Sequence, residues 1–122
     1  MNKHEVSSIL FEIGTLLALQ GEGFHRVNAY QNASRVIAQL DKNLDDVIKN
    51  DELKDLKGIG STLQEKITTL FTTGKLDYYE NLKAKTPSGL LEMLRVDGFG
   101  PKKVRAVYEE LGVDSLEKLK LV

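Results

Sequence analysis

The 122-residue chain has no cysteine and no tryptophan, two prolines and two histidines. The missing cysteines exclude disulfides, thiolate metal sites and a cysteine nucleophile, and His4 and His25 are too few and too scattered for most transition-metal sites. No apolar run approaches the roughly 18 residues of a membrane helix. The start, Met1-Asn2-Lys3-His4-Glu5, leads into an acidic amphipathic stretch rather than a cleavable apolar segment, so a soluble, cytoplasmic, monomeric protein without a membrane partner is expected. An excess of charge is also missing. The 17 basic and 18 acidic side chains leave −1, which taken globally argues against a strongly basic nucleic-acid surface. Sustained apolar/polar alternation flanked by a hairpin dipeptide is absent, which excludes a sheet and leaves an all-α class.

What is present suffices for a core. Apolar residues make up 41% and charged residues 29%, and the mean hydropathy is −0.27. This suits one small domain, or one domain of two lobes, rather than a disordered chain or a long multidomain enzyme. Val6, Ile9, Leu10, Ile13, Leu16 and Leu17 recur at steps of three and four, and Asn2 with Glu5 forms a capping pattern ahead of them. Gly21-Glu22-Gly23 stops that helix. A second is predicted from about Phe24 to Leu40, with Val27, Tyr30, Ala33 or Ser34, Ile37 and Leu40 on one stripe, and a short third from Leu44 to Lys49.

The second half repeats itself. Leu53 to Ser61 contains Gly58-Ile59-Gly60 and precedes a helix with Leu63, Ile67, Leu70 and Phe71. Forty residues on, Met93 to Pro101 contains Gly98-Phe99-Gly100 and precedes a helix with Val104, Val107, Tyr108 and Leu111. Leu53 superposes on Met93, Leu56 on Val96, Ile59 on Phe99 and Ile67 on Val107, so the unit is a short helix, a glycine-apolar-glycine turn and a longer helix. Between the copies Gly74 ends a helix, Leu76 to Lys83 reads as helical, and Thr86-Pro87-Ser88-Gly89 marks the boundary between lobes 1–85 and 86–122.

Paired glycines permit positive φ and close approach, and the apolar residue between them anchors the turn between helices. The helix that follows presents unsatisfied N–H groups and its positive dipole end, which is a phosphate-oxygen site without any basic side chain. Ser61 with Gln64 reads as a capping box on the first such helix, and Pro101 suits the first turn of the second. A local basic patch accompanies the second turn: Arg95, Lys102, Lys103 and Arg105 against Asp97 give 4 − 1 = +3. The acidic pairs Asp45-Asp46 and Glu109-Glu110 read as solvated helix faces, since adjacent helical residues point apart.

The two turns resemble a double helix-hairpin-helix, a clamp on the DNA backbone that ignores base sequence. Phe24-His25-Arg26-Val27-Asn28-Ala29-Tyr30, Leu56-Lys57-Gly58-Ile59-Gly60, Glu65-Lys66-Ile67, Thr73-Gly74-Lys75-Leu76 and Gly98-Phe99-Gly100-Pro101-Lys102-Lys103 further resemble the amino-terminal region of bacterial family X DNA polymerases, which are DNA polymerase beta-like. The resemblance covers nearly the whole chain and implies a lyase-type lobe to about Lys85, followed by a fingers-like subdomain. It implies binding of gapped, nicked or 5′-phosphorylated duplex in base-excision or gap repair. The phosphate-binding set implied is His25, Arg26, Tyr30, Gly58, Gly60, Ser61, Gly98, Gly100, Lys102, Lys103 and Arg105. No cofactor is required, although a Na+ or K+ ion at the carbonyls of Lys57, Ile59, Val96 and Phe99 is part of the family's pattern.

The family's lyase forms a Schiff base between a lysine amine and the C1′ aldehyde of a 5′-deoxyribose phosphate, and the matching position is Lys66. Helical geometry places Lys66 beside Leu63 and Leu70 at the edge of the apolar stripe, where partial desolvation and nearby positive charge favour the free amine. Two positions depart from the pattern: Thr62 and Tyr78 stand where lyase-active members carry basic residues. A binding site without efficient elimination, with Lys66 a helix-edge side chain, is the companion reading. The family's palm-domain Asp-x-Asp occurs nowhere in the chain, so nucleotidyl transfer is not expected of it. A helical protein-interaction module without DNA binding is the alternative class.

Overall fold

A computed structural model describes residues 1–96, 100–112 and 115 of the chain. Among them there are helices and turns and no strand: α1 Lys3–Leu19, α2 Phe24–Ala38, α3 Leu44–Lys49, a 3₁₀ turn Leu53–Asp55, α4 Ser61–Thr73, α5 Asp77–Lys85, α6 Ser88–Met93 and α7 Pro101–Leu111. The expected all-α class holds. Gly98 and Phe99 of the second turn lie outside the described residues.

Local chemistry sets the helix ends. Asn2 Oδ1 accepts from the Glu5 amide at 2.9 Å, and Asn2 Nδ2 donates to Glu5 Oε1 at 3.3 Å, as the capping pattern predicts. Gly21, at φ +78°, turns the chain out of α1 while the Glu22 amide closes on the Leu17 carbonyl at 3.0 Å. α2 ends at Ala38, two residues short of the periodicity's Leu40, which stays half-buried outside the helix.

α1 is the axis of the core. Val6, Leu10, Ile13, Leu16 and Leu17 are buried against Tyr30, Ala33 and Ile37 of α2 and Leu63, Ile67 and Leu70 of α4. Ser7 and Ser34 exchange hydrogen bonds across the α1–α2 crossing, each hydroxyl donating to the other residue's carbonyl at 2.7 Å. The polar groups are thereby satisfied where two backbones approach closely.

A smaller cluster joins Leu90 and Met93 of α6, Val104 of α7 and Leu19 at the end of α1. Leu91 packs against both clusters. At this junction Arg105 Nη1 donates to the Leu19 carbonyl at 2.8 Å, and its Nη2 pairs with Glu109. A Cβ on Gly21 would strike the Arg105 guanidinium and push it aside, while the φ of +78° itself favours glycine there. α7 is thus fastened to α1 by a Leu19 plug and a charged cap on carbonyls that the helix leaves unpaired.

Candidate functional site

The first hairpin is a tight turn from Leu56 to Ile59, closed by the Ile59 amide on the Leu56 carbonyl at 3.2 Å. Its third residue, Gly58, takes φ +85°, a value that turns of this kind reserve for glycine. A Cβ there would also collide with Asn32 Nδ2 of α2. The intervening Ile59 is buried and pins the turn to the core.

Gly60 differs from Gly58. It is the N-cap of α4 with φ −75° and ψ 173°, an extended conformation open to any residue, and nothing lies within 4 Å of where its Cβ would stand. No constraint among the described residues therefore calls for glycine. Gly100, forty residues on, is the N-cap of α7 with φ −90° and ψ 176° and has the same empty surroundings. Both are exposed. At α4 the amides of Gly60, Ser61, Thr62 and Leu63 have no hydrogen-bond partner among the described residues, and the first helical bond comes from Gln64 to the Gly60 carbonyl at 2.9 Å. At α7 the amides of Gly100, Lys102 and Lys103 are equally unengaged among the described residues. Pro101, at the first helical position, has no amide to offer.

The capping box read into Ser61 and Gln64 does not form. Gly60 is the cap and Ser61 the first helical residue, while Gln64 Nε2 donates to the Ile59 carbonyl at 3.0 Å. A side-chain oxygen at the cap would occupy the amides that the glycine leaves open. The same bond bears on the Na+ or K+ expectation, because the Ile59 carbonyl already accepts a hydrogen bond and Phe99 is outside the described residues. A carbonyl oxygen carries a second lone pair, so the Ile59 oxygen can accept from Gln64 and still face an ion.

A second group of candidates meets across α2, α4 and α5. The Tyr78 ring stacks on the buried Tyr30 ring, with centroids 6.0 Å apart and planes 14° from parallel. Lys66 Nζ sits over the Tyr78 ring at 4.7 Å from its centroid, and Arg26 Nη2 donates to the Tyr78 hydroxyl at 3.0 Å. Glu22 pairs with Arg26 at 3.6 Å, an exposed contact of little strength. Burial, with the Tyr78 phenol beside it, holds the Tyr30 phenol protonated well above its ordinary range. Two cations and one phenol hydroxyl therefore converge on a patch that can take a polyvalent anion.

His25 is not joined to this group; its ring meets Phe24 edge-on at 6.0 Å. Lys57, Lys102, Lys103 and Arg95 are exposed, the last three around the second turn, whereas Arg105 faces α1 and adds nothing to that patch. Asn32, which the sequence left without a role, touches the first turn at Gly58. A concavity beside α4 is lined by Asp51, Ser61, Gln64, Glu65 and Thr68 among others. Its two carboxylates suit it poorly to an anion.

The chain is similar to DNA polymerase/3′-5′ exonuclease PolX of Bacillus subtilis (strain 168), with 32% identity over 120 residues, 98% of this chain. It spans about one fifth of that relative's length, 20%, matching an amino-terminal fragment. The family model described as helix-hairpin-helix domain matches residues 1–76, more than half of the 122, and encloses the Gly58-Ile59-Gly60 turn together with Arg26, Tyr30 and Lys66. Turn, cap and family match agree, and the chain belongs to the helix-hairpin-helix domain family.

Proposed function

We propose that the chain binds DNA through the sugar-phosphate backbone at gaps, nicks and 5′-phosphate ends, as the DNA-holding part of a family X polymerase in gap repair. The observation that carries this reading is the pair Gly60 and Gly100. Each caps a helix in a backbone conformation that does not need glycine, beside open space and amides that have no partner among the described residues. A phosphate fits such a site by charge and by clearance. The similarity to a polymerase supports the choice of DNA. The Lys66, Arg26 and Tyr78 group supplies a second anion patch suited to a terminal phosphate, which favours a broken strand over a continuous one.

Contacts to phosphate carry no base information, so binding is sequence-independent. Amide donors release few counterions, and the salt dependence is moderate despite Lys57, Lys102 and Lys103. Fluorescence anisotropy with gapped, nicked and intact duplexes of one sequence tests the reading. Gapped and nicked duplexes bind more tightly; equal, negligible affinities for all three refute it and leave a protein-interaction module.

The position of Lys66 favours a lyase as a second reading. Its amine adds to the C1′ aldehyde of a 5′-deoxyribose phosphate, water leaves to give the iminium, and loss of a C2′ proton expels the C3′ phosphate. Borohydride reduction of the iminium on an incised abasic duplex traps the protein covalently. An adduct that survives Lys66→Ala removes Lys66 from the nucleophile's place.

A further inference from the structure

Tyr78 stands where the resemblance led us to expect a basic residue, and it is the one side chain that touches Tyr30, Lys66 and Arg26 alike. Lys66 Nζ lies over its ring face, 4.7 Å from the centroid, and Arg26 Nη2 donates to its hydroxyl at 3.0 Å. Arg26 occupies a lone pair of the phenol oxygen. No acceptor among the described residues takes the phenol's own proton. The oxygen therefore has a proton to give, and on giving it becomes an anion already held by a guanidinium. Other acid–base groups nearby do not compete for this part. Burial, with Tyr78 beside it, keeps the proton on Tyr30. Glu22 pairs with Arg26 and Glu65 lines the concavity beside α4, and neither forms an ion pair with Lys66 among the described residues.

We propose that the Tyr78 hydroxyl is a catalytic group of the elimination, first as acid and then as base, with Lys66 the nucleophile. The proposal rests on the lyase reading and adds to it the group that moves the protons. An amine over the ring face and an oxygen at the ring's edge stand on either side of the first two sugar carbons. Once Lys66 has added to C1′, the phenol gives its proton to the C1′ hydroxyl. Water leaves, and the nitrogen lone pair closes the iminium. The Tyr78 oxygen is now negative, between Arg26 and the iminium, and it takes a proton from C2′. The electron pair of that C–H bond becomes the C2′–C3′ double bond, and the C3′–O bond breaks with its pair on the phosphate. Tyr78 ends with one proton, as it began, and water then hydrolyses the iminium to release the unsaturated aldehyde and Lys66. An ammonium in this place has protons to give but no lone pair with which to take one, so a lysine here could not serve both steps as Tyr78 does.

The test is a single-turnover experiment with the full chain on an incised abasic duplex, labelled on the downstream strand and followed with and without borohydride. The borohydride adduct reads the iminium, and the shortened, 5′-phosphorylated strand reads the elimination. Tyr78→Phe keeps the ring under Lys66 and against Tyr30 and removes only the hydroxyl. Solvent replaces the phenol as acid in the first step, because Tyr78 is half-exposed. The bond from carbon to hydrogen at C2′ yields far less readily and depends on the positioned base. In Tyr78→Phe the adduct therefore forms within about twofold of the parent rate, while elimination falls about a hundredfold, the lower end of what a positioned acid–base group contributes. Elimination by Tyr78→Phe at the parent's rate overturns the proposal and leaves Lys66 as nucleophile. Adduct and elimination that fall together overturn it too, since that is the mark of a displaced lysine. An unaltered chain that gives the adduct without the shortened strand has no elimination to assign, and the proposal fails. If the unaltered chain gives neither, the lyase reading falls and this one with it.

Discussion

Lys66 Nζ lies over the face of the Tyr78 ring, 4.7 Å from its centroid, while Arg26 holds the hydroxyl of the same tyrosine at 3.0 Å. A ring face attracts an ammonium by about 0.5–1 kcal/mol at exposed sites, and this contact fixes where the Lys66 side chain stands. Tyr78→Leu removes the ring without adding charge. It should lower the initial rate of borohydride-trapped adduct about two- to fivefold, because Lys66 loses its seat and Arg26 the hydroxyl it holds. An unchanged rate in Tyr78→Leu would show that the ring does not restrain Lys66.

Gly58 and Gly60 should part company when each is replaced by alanine. Gly58→Ala places a methyl at φ +85° and against Asn32, and should cost about 1–3 kcal/mol of stability in urea unfolding. Asn32→Ala in the same chain relieves the collision and recovers part of that loss. Gly60→Ala meets open space in an ordinary backbone conformation and should leave stability within about 1 kcal/mol, since a weaker cap is offset by a less flexible unfolded chain. Its affinity for nicked duplex nonetheless falls, about tenfold for one obstructed phosphate contact to amides. Tight DNA binding by Gly60→Ala would remove the first helix start from the interface.

Arg105 tests the junction of the two hydrophobic clusters. Arg105→Ala deletes a charged donor to the Leu19 carbonyl and should cost about 1.5–3 kcal/mol locally. Hydrogen exchange reads this as faster exchange in 88–93 and 101–111, with α1 through α4 keeping the protection of the main core. Gly21→Ala, which pushes the same guanidinium away, should give the same pattern. Uniform acceleration through the whole chain would instead mean that the two clusters unfold as one.

The two raised phenols give a pH dependence of known sign. Burial, then Tyr78, raises Tyr30, and burial, then the Glu12 carboxylate that accepts from its hydroxyl at 2.5 Å, raises Tyr79. The unfolded chain ionises these groups near pH 10 and the folded chain only above that, so the fold binds their protons more tightly. Their contribution is complete below about pH 10 and is lost as pH rises beyond it. Urea midpoints taken from pH 8 to 11 should fall at the alkaline end, less steeply for Tyr79→Phe than for the parent. Parallel profiles would leave Tyr79 without a part in the fall.

Short-range chemistry made much of this legible in the sequence. Asn2 with Glu5 and the alternating steps of α1 fix their elements within one or two turns, and so does Gly74, and the forty-residue spacing of the glycines announced the two helix starts. Ser61 was misread because a hydroxyl three residues before Gln64 looks like a cap, while the preceding glycine takes that place once Ile59 is pulled into the core. Arg105 could not be placed from its neighbours. The patch around it suggested phosphate, yet its partner, Leu19, is 86 residues away. Tyr78 was visible only as a missing positive charge, and its place between Lys66 and Arg26 depends on how α5 folds back onto α2 and α4. Contacts of this kind depend on tertiary packing, which no local window contains.

Gly60 and Gly100 have a consequence for control. On the proposed reading the clasp is made of peptide groups, which neither titrate nor carry a handle for acetyl, methyl or phosphoryl transfer. Cellular signals that retune many lysine-based DNA binders would find no handle on the peptide groups themselves and could act only through the neighbouring Ser61, Thr62, Lys102 and Lys103. Occupancy would follow the supply of broken strands and the competition for them.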